Sequence, residues 1–215
     1  MAQPPDRASA RAQPPDPARA RPGRPSSGAR ERIRDAAYEV LKAEGYAGLT
    51  TAKVAARSGQ NKALISYHFG SKQGLVAEVA RAVSGAITEE LLQAIGEPRD
   101  VRALARGVTD GVTALNARDK GLARMYFDLA AQAIVEPEVR SIMAEMKAGY
   151  RAVLRQELAR VGGGPRSSAD AEAAAVYMVA CLEGLMLDQV ERGETPELAR
   201  ARAMFVDSMV AAVRS

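Results

Sequence analysis

From Ala29 onward, apolar residues recur at intervals of three and four, the spacing that gathers them on one face of a helix. Ile33, Ala36, Ala37, Val40 and Leu41 form the first such stripe, and Gly45 supplies a natural stop after it. Leu49-Thr50-Thr51 follows, where a Thr can cap a short helix running to about Arg57. Ser58-Gly59 ends that helix, and Asn61 is a good N-cap for a third one over Lys62 to about His68. Gly70-Ser71 then separates this trio from a long helix predicted over about Lys72 to Ile95. The same periodicity predicts further helices over roughly 98–116, 119–133, 136–161, 168–192 and 195–213. Their punctuation is Pro98, Pro137, Gly162-Gly163-Gly164-Pro165 and Gly193 with Pro196, the prolines at 98, 137 and 196 falling in first turns. The expected fold is all-α, with about nine helices.

Composition supports that class. Ala, Leu, Arg and Glu dominate, aromatic residues make up 4% and Trp is absent, a mixture that favours helix over strand. No run of about 18 apolar residues exists, so no segment is expected to span a bilayer, and no apolar stretch follows the charged N-terminus as in a secretory signal. With one cysteine (Cys181) and one histidine (His68), neither an internal disulfide nor a Cys/His zinc site can form. The chain is expected to be cytoplasmic. Residues 1–28 are rich in Pro, Ala and Arg and lack large apolar residues after Met1, so they are expected to form a disordered arm. Arg19, Arg21 and Arg24 either trail along phosphates or a minor groove, or belong to a plain solubilising tail.

Charge changes the picture once it is divided. Of the 30 Lys and Arg and 26 Asp and Glu, residues 1–75 hold 13 and 6, and the remainder 17 and 20. A basic first third on a mildly acidic remainder points to a polyanion as the partner of the first third.

Three helices joined by such short turns, the second pair by Gly59, match a helix-turn-helix. Residues 32–75 resemble, more specifically, the DNA-binding head of the TetR family of regulators. The resemblance rests on Ala36-Ala37, Gly45-Tyr46, Leu49-Thr50-Thr51, Val54-Ala55, Ser58-Gly59, Asn61 through Phe69, Ser71-Lys72 and Gly74-Leu75, in order and without insertion. The family commonly carries Tyr where this chain has Ser66 and an apolar residue where it has Gln60; Tyr67-His68 can supply the phosphate contact so lost. Ile33, Ala37, Leu41, Val54, Ala55, Ile65 and Phe69 are expected to form the small core that fixes the second helix against the third. The third helix would then enter the major groove, presenting Asn61, Lys62, Ala63, Leu64, Tyr67 and His68. Thr51, Lys53, Tyr67, His68 and Lys72 suit phosphate, whereas Asn61, Lys62 and the small Ala63 are better placed for base edges or thymine methyls. The bland alternatives are that His68 merely packs at the helix end and Lys62 is merely solvated.

The resemblance implies a division into the head at 29–75 and a helical body at 76–215 that dimerises and binds a small molecule. Periodicity adds that residues 173–187 are apolar nearly all round, as in a helix buried on every side by its own core and a partner chain. With Leu198, Ala201, Met204-Phe205, Met209 and Val213 on the last helix, this hairpin is expected to build a homodimer around a two-fold axis. Two heads would then read a palindromic operator in double-stranded DNA. Within the body, Tyr126 to Leu129, Met146 with Tyr150, and Glu183 to Leu185 resemble the C-terminal pattern of BetI-like members, a sub-group that includes choline-responsive repressors. Tyr126, Phe127, Met146, Tyr150, Tyr177 and Glu183 are the candidate ligand contacts, aromatic walls suiting organic ligands and cations. The aromatic residues are otherwise plain core. Glu183 either orients a cationic or hydroxylated effector, snorkels to solvent, or pairs with an Arg across the interface. Cys181 reads as a small core hydrophobe.

The expected function is a repressor released from its operator by a small molecule; the alternative is an effector-independent dimeric regulator. No nucleophile elbow, phosphate loop or metal cluster is evident and no cofactor is implied, which points away from an enzyme.

Overall fold

The computed structural model describes residues 28–213, so the expected N-terminal arm, Gly28 apart, lies outside the described residues. The described chain forms nine α-helices: α1 (Ala29–Gly48), α2 (Thr51–Ser58), α3 (Lys62–Phe69), α4 (Lys72–Ile95), α5 (Val101–Arg118), α6 (Lys120–Val135), α7 (Pro137–Arg160), α8 (Ser168–Arg192) and α9 (Pro196–Ala212). Most begin where a short polar side chain satisfies an orphan N–H of the first turn. Thr50, Asn61, Ser71, Asp100, Asp119, Ser167 and Thr195 all accept such a bond, each worth about 0.5–2 kcal/mol.

Two boundaries differ from expectation. Pro98 lies outside α5, which starts at Val101 because the Asp100 carboxylate accepts the Ala103 N–H at 2.8 Å and fixes the cap there. Gly45 interrupts α1 rather than ending it: its φ of 71° kinks the chain, and one more turn carries Tyr46 inward.

The described residues form two apolar cores. One joins α1, α2 and α3 through Ile33, Leu41, Val54, Ile65 and Phe69, and runs without a break into Leu75, Val76 and Val79 of α4, Leu129 of α6 and Val139 of α7. The other is built from α5, the second half of α7, α8 and α9, around Leu104, Leu158, Ala175, Met178 and Met209. Helix α4 thus leaves the head core and runs on beside the second.

Helix α8 is the longest of the nine described helices, and two of its features bear on what surrounds it. By length and composition it is apolar enough to cross a membrane, with mean hydropathy 1.4 over 18 residues, because Ala, Val, Leu and Met crowd its middle. Within the protomer it is covered on one side. Ala174, Ala175, Met178 and Leu182 are buried, whereas Val176, Tyr177 and Leu187 are about two-fifths exposed at 42%, 39% and 39%.

Candidate nucleic-acid interface and effector cavity

Helix α3 owes its exposed face to the residues it buries. Ile65 and Phe69 turn into the head core, so the opposite face leaves Lys62, Ala63, Ser66 and Tyr67 to solvent, Tyr67 being 75% exposed. Gly59 makes the turn from α2 with φ 66°, a left-handed conformation that glycine adopts without strain.

The remaining candidates divide by environment. Asn61 uses its Oδ1 to cap α3, accepting the Leu64 N–H at 2.8 Å, so that oxygen holds the helix start. Leu64 is half-buried against the head core. His68 is half-buried, with its ring centroid 5.2 Å from that of Tyr67 and 6.1 Å from that of Phe69. Its Nε2 is enclosed without a hydrogen-bond partner, which leaves that nitrogen badly placed for a phosphate. Thr51 stands exposed on the first turn of α2, and Lys53 pairs with Glu44 at the surface. The Lys72 ammonium lies 3.8 Å from the centre of the Tyr46 ring, a cation–π contact that holds it at the start of α4. Ser66 belongs to the exposed face of α3 and was not among the expected contacts, although its spacing from Lys62 and Ala63 would have placed it there.

Lys62 and Lys72 should therefore behave differently. Lys72→Ala is expected to weaken binding to all DNA sequences and to flatten the plot of log affinity against log salt by about one unit. Lys62→Ala is expected to relax preference at one or two positions instead. Titrations over a salt series and a binding selection on each variant separate the two.

The joint between head and body lies at α6, which local periodicity did not reveal. The Asp128 carboxylate accepts the Tyr46 backbone N–H at 2.5 Å, and the Tyr46 hydroxyl donates to Glu136 at 2.5 Å. Burial first, then that carboxylate, pushes the Tyr46 hydroxyl up to about 12, so it stays a donor. At the other end of α6, Lys42 binds Asp119 at 2.6 Å. Burial works to raise the Asp119 carboxyl, but the Lys42 ammonium and two backbone N–H groups overcome it and hold the group below its ordinary value. Gly45 is required twice over: its φ is positive, and a Cβ there would sit 2.8 Å from Asp128.

Between the two cores lies a cavity of about 150 Å³, walled by α4, α5, α6, α7 and α8. Four of the six candidate ligand contacts line it: Tyr126, Met146, Tyr150 and Glu183. Phe127 and Tyr177 do not. Phe127 packs edge-on against the Tyr126 ring with centroids 5.4 Å apart, and Tyr177 bonds Ser208 at 2.8 Å on the outer side of α8. Glu183 pairs within its own protomer, accepting from the Tyr126 hydroxyl and from Lys147 at 2.9 Å. Burial and then Glu183 push the Tyr126 hydroxyl above its ordinary value, and burial does the same for Tyr150. Both shifts favour the neutral hydroxyl.

A short helix held by two core residues, with polar and small side chains facing out after a tight glycine turn, defines a helix-turn-helix DNA-binding regulator. The chain belongs to the TetR family of bacterial regulatory proteins. Residues 33–79 match the model of that family's N-terminal region, and residues 101–214 match the C-terminal model of BetI-type transcriptional repressors. A TetR-family transcriptional regulator from Rhodococcus sp. shares the fold with a TM-score of 0.72 at 21% identity, over 88% of this chain and 100% of that one. A transcriptional regulator from Saccharomonospora viridis, solved in complex with choline, has a TM-score of 0.66 at 18% identity, over 85% and 95%. Nucleoid occlusion factor SlmA of Photobacterium profundum is 25% identical over 146 residues, which are 66% of this chain and 74% of that protein.

Proposed function

We propose that this chain is a homodimeric repressor that occupies a palindromic operator and leaves it when a small molecule fills the body cavity. The observation that carries the reading is the cavity itself. Its wall includes Ala80 and Val83 of α4 and Leu122, Met125 and Leu129 of α6, and these two helices also hold the head in place. A molecule that pushed α4 and α6 apart would re-aim the head, and a coupling of about 1–3 kcal/mol would change operator affinity roughly 5- to 150-fold. A body built only to dimerise would have no use for an unfilled space, whose apolar lining forfeits packing.

The head, residues 29–75, is the DNA-binding unit, with Lys62, Ala63 and Tyr67 toward the groove and Thr51, Lys53 and Lys72 toward phosphates. Residues 76–215 form the effector-binding and dimerisation unit. The outer face of α8, with Val176, Tyr177 and Leu187, and Met204 of α9, exposed at 64%, offers an apolar surface that a second copy would cover around a two-fold axis. Bound to DNA, the protein acts in the cytoplasm.

The test is a selection of bound fragments from genomic DNA at about 150 mM salt, where purely electrostatic binding is weakened. Enrichment of an inverted repeat with half-sites about one helical turn apart is the expected result. Binding without sequence preference that vanishes as salt rises would overturn the specific-repressor reading.

A further inference from the structure

The cavity wall is almost entirely hydrocarbon. Val83, Ile87, Leu115, Leu122 and Leu154 are typical of it, Thr88, Asn116 and the two tyrosine hydroxyls are its neutral polar groups, and Glu183 is its single charged residue among the described residues. A carboxylate in such a wall would ordinarily attract an organic cation. Here the site is already taken: Lys147 of α7 lies 2.9 Å from both carboxylate oxygens, and the Tyr126 hydroxyl donates to one of them. Lys147 does not itself line the cavity, so it cancels the charge from behind the wall. A cation entering would lose its hydration without gaining a free anion, which disfavours it strongly in an apolar site. A neutral molecule meets only carbon and a few hydrogen-bonding groups. At about 150 Å³ the space matches a dry apolar cavity that accepts a molecule the size of benzene.

We propose that Lys147 is a built-in counter-ion that makes the cavity selective for small, uncharged, mainly hydrocarbon effectors and against organic cations. This inference rests on the cavity being the effector site. Lys147 is then the residue that determines specificity, although it touches no ligand.

Choline and 3,3-dimethylbutan-1-ol form a suitable pair of probes, alike in shape and hydroxyl and differing in a charged nitrogen against a neutral carbon. Calorimetric titration of the full-length protein is expected to show the alcohol binding at least about tenfold more tightly than choline. Lys147→Met, which keeps most of the side-chain stem and frees Glu183, is expected to raise choline affinity about tenfold and to change that for the alcohol by less than about threefold. Circular dichroism melting reports whether that variant folds; Lys147→Gln serves in its place if it does not, and the unmodified protein alone tests the primary preference. Choline binding to the unmodified protein as tightly as the alcohol would overturn the selectivity and leave the cavity standing as a ligand site. An unchanged choline-to-alcohol ratio in the folded variants would do the same. Failure of both probes to bind the folded, unmodified protein would overturn the effector reading of the cavity and the selectivity with it.

Discussion

Replacing Val176 and Leu187 together with Glu is expected to give a folded monomer whose operator affinity has fallen about 100-fold or more. Both side chains are about two-fifths exposed in the protomer, while Ala175 and Met178, on the opposite side of α8, are fully buried. The new carboxylates therefore point away from the core, and the melting temperature of the monomer should change little. In a two-fold interface each position lies near its own copy or a symmetry-related neighbour, so every introduced charge meets like charge on the other side. Desolvating these carboxylates without partners adds several kcal/mol against association. One head alone makes half the DNA contacts and loses the high effective concentration that tethering gives the second. Sedimentation velocity reads the assembly, and fluorescence anisotropy with a selected operator fragment reads the affinity. A variant that still sediments as a dimer would place the interface elsewhere on the body.

The second large effect is expected at the joint. Asp128→Ala combined with Glu136→Gln should leave effector affinity within about threefold of the original while reducing the effector's influence on DNA binding from the expected 5- to 150-fold to nearly none. Asp119 caps the start of α6, Asp128 lies in its third turn and Glu136 caps its end, and all three bind residues at the end of α1. The same helix gives Leu122, Met125, Tyr126 and Leu129 to the cavity wall. It is therefore in contact with both the cavity and the head. Removing Asp128 leaves the Tyr46 N–H without its carboxylate, a local cost of about 1–3 kcal/mol, and loosens the grip of α6 on the kink at Gly45. Operator titrations with and without effector read the coupling. Full response in the variant would show that these two bonds do not carry the transmission and leave it to α4 or to the Lys42–Asp119 pair.

Much of this arrangement was legible along the chain. Asn61 and Ser71 are local signals, and the structure uses both as caps at the positions their neighbours predict. The division of α3 into buried Ile65 and Phe69 and exposed Lys62, Ala63 and Tyr67 follows from helical spacing alone. Membership of the TetR family was already readable from residues 32–75, because that pattern is dense and short-ranged. The joint was not legible. Its bonds connect residues 77 to 90 positions apart, and nothing in the spacing of Asp119, Asp128 or Glu136 announces Lys42 or Tyr46 as partners. Neighbours such as Tyr126 and Phe127 look equivalent in sequence, yet a helix turns about 100° per residue and brings only the first to the cavity. Tyr177 looked like a pocket aromatic for the same reason. The cavity wall itself reads as ordinary core, since unfilled space leaves no mark on periodicity.

The position of that space between two separate cores bears on how such a protein changes over generations. Residues at the centre of either core are held by neighbours on all sides, and shortening one costs about 2–5 kcal/mol. Val83, Val112 and Met186 already face an opening, so exchanging them for larger or smaller side chains disturbs fewer contacts. A lineage can therefore try new shapes of this space while its folding stability and the exposed faces of α3 and α8 stay intact. The seam between the cores is where this molecule can be reshaped from within at the least risk to the rest of itself.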